Sequence, residues 1–196
     1  QRQLAFGGNF SYQYKGLHVG LNAIQFQLKY PLQKREQPYN LFALKGKSFG
    51  NYSVDYGYTY KNMHWFGEAA ISDTRYKAFV NGLLISTAGN IDMSIFYRNI
   101  SKGYQTLYGS AFTESTLPNN EKGLFVGMSV KPSQAWKIDA YADVFRFPWL
   151  KSRVDAPSNG SDYFLQVVYR PNKQLDMYAR FKREEKAINF NEEDDM

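Results

Sequence analysis

Ten stretches of this chain alternate apolar with polar residues, and the links between them are short and long by turns. An extended backbone turns successive side chains to opposite faces, so each stretch reads as a strand with one apolar and one polar face. The one the rest are compared with is Trp136–Trp149. Trp136, Ile138, Ala140, Ala142 and Val144 fall on one side of it, and Lys137, Asp139, Tyr141, Asp143 and Phe145 on the other. The other nine are Leu4–Tyr14, Leu17–Tyr30, Ser48–Tyr60, Met63–Ser72, Ala78–Thr87, Ile91–Arg98, Gly123–Lys131, Asp162–Arg170 and Gln174–Lys182. Tight turns close the odd-numbered strands at Lys15-Gly16, Lys61-Asn62, Gly89-Asn90, Pro132-Ser133 and Pro171-Asn172-Lys173. Longer links follow the even-numbered ones, at Gln33–Asn40, Asp73–Lys77, Asn99–Lys122 and Pro148–Ser161.

Short and long connections alternate in a transmembrane β-barrel, whose periplasmic turns are tight and whose extracellular loops are long. A β-sandwich has as many turn signals but no reason to alternate them. The expected fold is therefore all-β, an antiparallel up-and-down transmembrane β-barrel with about ten strands in residues 1–182, followed by an acidic loop or tail at 183–196. The first strand starts near residue 1 and a charged segment follows the tenth, which predicts a section of a larger barrel. Arg146 interrupts the apolar face of the eighth strand, so it lies above the apolar band or at a bulge. Trp136 is expected at the periplasmic girdle of aromatics, with Phe147 and Trp149 at the outer one.

Composition narrows the chemistry. Aromatics make up 17% of the chain, with 16 Tyr and 15 Phe, which favours strands. No apolar run approaches the length of a membrane helix. There is no cysteine, so no disulfide framework and no thiolate metal site. The net charge is +6 and uneven: residues 183–196 hold two basic and six acidic residues, which leaves a strongly basic body. Such a body suits anionic partners.

On the polar faces, Asp92, Arg98, Lys137, Asp139, Asp143, Asp176 and Arg180 are expected to line a wet lumen. Asp139 and Asp143 are separated by roughly 13 Å of strand, too far to share a proton. Lys137 and Arg98 are the cations expected to balance them. His18 and His64 both follow tight turns and meet no nucleophile at a suitable level, so an enzyme is not expected. A phospholipase-like barrel enzyme is the least favoured reading. No zinc or EF-hand spacing is present, and Glu192-Glu193-Asp194-Asp195 reads as a solvated acidic run, so no metal or cofactor is expected. In the long links, Lys34, Arg35, Arg75, Lys77, Lys151 and Arg153 form a basic set suited to lipopolysaccharide phosphates. The alternative is a polyanion such as DNA, with Tyr104, Tyr108 and Phe112 as stacking groups.

Three stretches carry a family likeness: NMHWFGEAAI (Asn62–Ile71), YQTLYGSAFTESTLPNNEKGLFVG (Tyr104–Gly127) and FRFPWLKSRVDAPSNGSDY (Phe145–Tyr163). With them, most of the chain resembles the C-terminal barrel of large Bacteroidota envelope proteins that carry an N-terminal helix-hairpin-helix region, as competence DNA-binding proteins do. The resemblance implies an outer-membrane location and a connection to DNA uptake. The helix-hairpin-helix is not among these residues, so no DNA-binding residue is carried over. The expected role is non-enzymatic passage or binding at the cell surface. The expected partners are membrane lipid, lipopolysaccharide, other envelope proteins or the rest of the same barrel, with nucleic-acid binding or DNA uptake as the alternative.

Overall fold

The computed structural model describes residues 2–87 and 89–189. Ten strands follow one another: β1 (Gln3–Tyr14), β2 (Leu17–Leu32), β3 (Gly46–Tyr60), β4 (Met63–Ser72), β5 (Lys77–Thr87), β6 (Ile91–Ile100), β7 (Glu121–Ser133), β8 (Trp136–Phe147), β9 (Ser158–Asn172) and β10 (Leu175–Lys186). They form one up-and-down antiparallel sheet in sequence order, and each strand pairs only with its chain neighbours. No described helix is long and apolar enough to cross a membrane. The tight turns gather at one end of the sheet, and the long links at 33–45, 73–76, 101–120 and 148–157 gather at the other.

Register assigns every strand residue to a face. Arg98 lies opposite Gly123, Gly123 opposite Phe145 and Phe145 opposite Gly160, so these share the inner face, which curls around the segment 101–120. Burial is inverted relative to a water-soluble sheet. On β8 the apolar Val144 is 45% exposed, while its charged neighbour Asp143 is 7% exposed. The outer face carries exposed Tyr14, Tyr58, Tyr60, Trp65 and Trp136 towards the tight-turn end, and exposed Phe6, Tyr52, Phe79, Tyr97 and Tyr163 towards the other. Asn81, a polar residue on that outer face, is satisfied by the Trp65 indole at 3.0 Å and by the Tyr56 hydroxyl.

Several boundaries differ from the sequence reading, each for a local reason. β2 runs through Pro31 because its pairing with β3 is broken between Gln27 and Leu32 and β1 reaches only Leu28, so the missing N–H has no ladder partner to lose. Asn159-Gly160, inside the expected link Pro148–Ser161, belongs to strand β9. A Cβ at Gly160 would lie 2.4 Å from the Phe145 ring, which occupies that space. β10 extends to Lys186, so the first residues of the expected acidic tail pair with 160–163 of β9. The acidic run at 192–195 lies outside the described residues. Arg146 needs no bulge, since β8 keeps register with β7 and β9 there. Its outer-face neighbours are Lys122 and Asn159, so the apolar band ends below that row. From Trp136 to Arg146 is roughly 33 Å of strand.

β1 and β10 do not touch each other among the described residues, and both are exposed along their whole length. Among the described residues the sheet is therefore open, with β1 and β10 as its edges.

Candidate functional site

Among the described residues, charge is buried only on the inner face and beneath the segment folded onto it. Arg98 on β6, Glu121 at the start of β7 and Asp143 on β8 form a triad. The Arg98 Nε donates to Glu121 Oε1 at 2.5 Å, and its Nη1 and Nη2 donate to the two Asp143 oxygens at 3.0 Å each. Arg98 and Glu121 are fully buried. The planar guanidinium fork fits a carboxylate with two parallel bonds, which makes Arg the suitable cation. Room for it comes from Gly123, where a Cβ would meet Arg98 Cζ at 2.5 Å.

The triad also holds the segment 101–120. Glu121 accepts the backbone N–H groups of Glu114 at 2.9 Å and Ser115 at 3.2 Å. Phe112 enters between Phe96 and Phe125, with ring centroids 5.1 Å from each. Asn120 brackets Trp149, donating to its carbonyl and accepting from its N–H. Gln105 donates to the Phe42 carbonyl, and Tyr108 donates to Gln3 at 2.8 Å. Across the top, Phe42 and Trp149 meet edge-on at 5.3 Å, the Trp149 indole donates to the Pro38 carbonyl, and the Lys102 ammonium lies over both rings. Three long links are thus knitted into a cap over one end of the inner face.

Below the cap, rings line the inner face from strand to strand. Phe66, Phe96, Phe112, Phe125, Tyr141 and Phe164 follow at centroid spacings of 6.4, 5.1, 5.1, 5.4 and 5.1 Å. Arg180 sits 5.6 Å from Phe164 at the end of the series. Towards the tight turns, a cavity of about 620 Å³ is bounded by Phe125, Tyr141 and Phe164 on one side and by Asp92, Ser94 and Asp139 on the other.

All seven charged residues expected on the polar faces lie on this inner face, though in different settings. Arg98 and Asp143 belong to the buried triad. Lys137 pairs with Asp139 at 2.9 Å, Arg170 with Asp176 at 2.7 Å, Ser86 donates to Asp92 and Arg180 to Gln166. His18 and His64 flank Gly57. His18 bonds Asp55 and His64 bonds Thr59, each at 2.8 Å. No group of three metal-ligating side chains occurs among the described residues.

The basic set divides. Lys34, Arg35, Arg75, Lys77 and Arg153 are exposed and form no ion pair among the described residues. Lys151 departs from the outward position read from the sequence. It turns inward, donates to Ser115 Oγ at 2.9 Å and lies 3.5 Å over the Phe147 ring. Burial lowers its ammonium from the ordinary lysine value, against the pull of Glu121 and Glu114. Phe147 and Trp149 are likewise not girdle residues: Phe147 is buried on the inner face and Trp149 belongs to the cap. Of the aromatics considered as stacking groups, Tyr104 is buried, whereas Tyr108 and Phe112 each meet another ring edge-on and remain 69% and 51% exposed. Sequence reasoning missed Glu121, which sits at a strand start where period-2 alternation carries no signal.

No family model, curated protein or solved structure matches this chain.

Proposed function

We propose that this chain is a section of a transmembrane β-barrel in a bacterial outer membrane, serving non-enzymatic passage or binding at the cell surface. The observation that carries the reading is the inverted burial: apolar outer faces exposed and a charged triad sealed within. An exposed apolar face of this size is unfavourable in water and favourable in hydrocarbon. The strand rise from Trp136 to Arg146, tilted by about 40°, gives an apolar band of about 25 Å, matching that of outer-membrane barrels. The tight turns then face the periplasm and the knitted cap faces outward.

In hydrocarbon an unpaired strand edge costs several kcal/mol per unsatisfied group. The open edges of β1 and β10 favour completion by further strands, so the chain is read as part of a larger barrel. The cap and Phe112 narrow the inner face, which favours selective binding or restricted passage over an open pore. The test is planar-bilayer conductance of the complete protein. Small unitary steps are expected, enlarged by Phe112→Ala, which empties the socket between Phe96 and Phe125. Unitary steps of the same size in wild type and Phe112→Ala would overturn the constriction.

A second reading, capture of a polyanion at the cell surface, is favoured by the exposed, unpaired Lys34, Arg35, Arg75, Lys77 and Arg153. Lipopolysaccharide phosphates and DNA both suit this set. Labelled duplex DNA is expected to bind with an affinity that falls as salt rises. Replacing Arg35, Arg75 and Arg153 with Gln should lower both the affinity and the salt slope. Absence of binding at low salt would end the DNA reading and leave the lipopolysaccharide one.

A further inference from the structure

We propose that the cap holds a binding site for a phosphorylated sugar, seated among Lys34, Lys102 and Lys151. The three long links that form the cap bound a cavity of about 320 Å³, near the lower end of small-molecule sites. Each link contributes one of the three lysines to its wall. No described carboxylate lines it.

None of these lysines has an ion pair among the described residues. Lys102 lies over the Phe42 and Trp149 rings, 4.5 and 4.1 Å from their centroids, and Lys151 lies over Phe147. A ring face offers an ammonium only the partial charge of its quadrupole. Each ammonium also carries three donors. Lys151 uses one of them on Ser115 Oγ, and Lys102 bonds no described oxygen. The acids that act on Lys151 are committed elsewhere: Glu121 holds Arg98 and two backbone N–H groups, and Glu114 pairs with Lys186. Burial outweighs their pull and holds the Lys151 ammonium below its ordinary value, as for a cation short of a counter-ion.

Three cations around one small cavity select for charge. A phosphomonoester carries about −1.5 to −2 at neutral pH and presents three terminal oxygens, one for each ammonium. A phosphodiester carries a single charge, and a carboxylate has only two oxygens. The remaining polar groups of the wall describe the rest of the ligand. The hydroxyls of Tyr39, Thr116 and Ser152 line the same cavity and have no partner among the described residues. Ser115 Oγ accepts from Lys151, so its own hydrogen is still available to donate. Hydroxyls both donate and accept, and so do those of a sugar. An apolar body would cover these groups without bonding them.

The site is built from the cap alone. It shares Lys34 with the exposed basic set, but it requires neither DNA binding nor a membrane. The same chemistry has two sources, a free sugar phosphate and the phosphorylated sugar headgroup of lipopolysaccharide. The second source rests on the outward-facing reading of the cap.

Binding of glucose 1-phosphate, glucose and inorganic phosphate to the complete protein in detergent is measured by calorimetry. Glucose 1-phosphate is expected to bind at least tenfold more tightly than glucose. Lys102→Gln and Lys151→Gln should each weaken it several-fold. Lys34→Gln, at an exposed position with no packing to lose, should weaken it as well. Lys173→Gln, which removes the same charge at the tight-turn end, should leave it unchanged. Equal affinity of glucose 1-phosphate and glucose for the unaltered protein overturns the proposal without any variant. A loss with Lys173→Gln as large as that with Lys34→Gln overturns it too, by reducing the effect to net charge. Inorganic phosphate that binds as tightly as glucose 1-phosphate overturns the sugar as the ligand. Displacement of glucose 1-phosphate by intact lipopolysaccharide, and not by lipopolysaccharide stripped of its phosphates, supports the headgroup source. No displacement by either supports the free sugar phosphate. A protein that binds the sugar phosphate and no DNA would instead overturn the DNA reading alone.

Discussion

Replacing Arg98 with alanine is expected to destabilise the protein by about 3–5 kcal/mol, because it leaves Glu121 and Asp143 buried without their cation. Urea unfolding from lipid vesicles measures it as a shift of the midpoint. A loss below about 1 kcal/mol would mean that water reaches the triad and that its burial is not what holds it. Two further variants separate charge from packing. Gly123→Ala places a methyl against the guanidinium and should cost about 1–3 kcal/mol with every charge retained. The triple variant Arg98→Met, Glu121→Gln, Asp143→Leu should recover much of the Arg98→Ala loss. A buried ion network replaced by groups of similar volume is often neutral. Glutamine at 121 still accepts from the N–H groups of Glu114 and Ser115.

The other large effect lies on the opposite face. Val126 is in the middle of β7, 40% exposed, between Ile95 on β6 and Ala142 on β8. In water, Val126→Arg would change stability by no more than about 0.5 kcal/mol. At the midplane of a bilayer the same change costs about 2–4 kcal/mol. Reduced folding yield into vesicles, with Arg146→Val as a near-silent comparison, is the expected outcome. Arg146 already lies in a polar row with Lys122 and Asn159. An Arg at 126 that inserts as well as wild type would place this face in water and overturn the membrane reading.

Strand number, order and facing were legible in the sequence because a period of two is written into every strand. Trp136 to Phe145 sort into their two faces from the order of residues alone. The tight turns were legible for a related reason, since Lys15, Lys61 and Gly89 hold positive φ and close hairpins with no slack. What escaped lies where periodicity stops. Trp149 was placed by aromatic character, but its position depends on Phe42 and Asn120, far away in the chain. The partners of Arg98 illustrate the same limit. Asp143 was paired with it by sign and face, whereas Glu121 joins it only because the segment 101–120 turns inward. An irregular segment rich in Ser, Thr, Asn and Gly gives no pattern from which such a turn can be read. Lys151 was assigned outward as lysines in loops usually are, yet Ser115 and Phe147 offer it an inward partner and a ring.

The meander has a consequence for the order of assembly. Each strand bonds only to the strands before and after it, so hairpins can be added one at a time and each register is set locally. The cap is different. The bond from the Trp149 indole to the Pro38 carbonyl joins positions 111 residues apart, and the rings of Phe42 and Trp149 meet only when β3 to β8 stand side by side. Closure of the cap is thus a late event that registers the correct count and order of six strands. A slipped or skipped hairpin would leave Lys102, Phe42 and Trp149 apart, with the long-link end of the sheet unlatched.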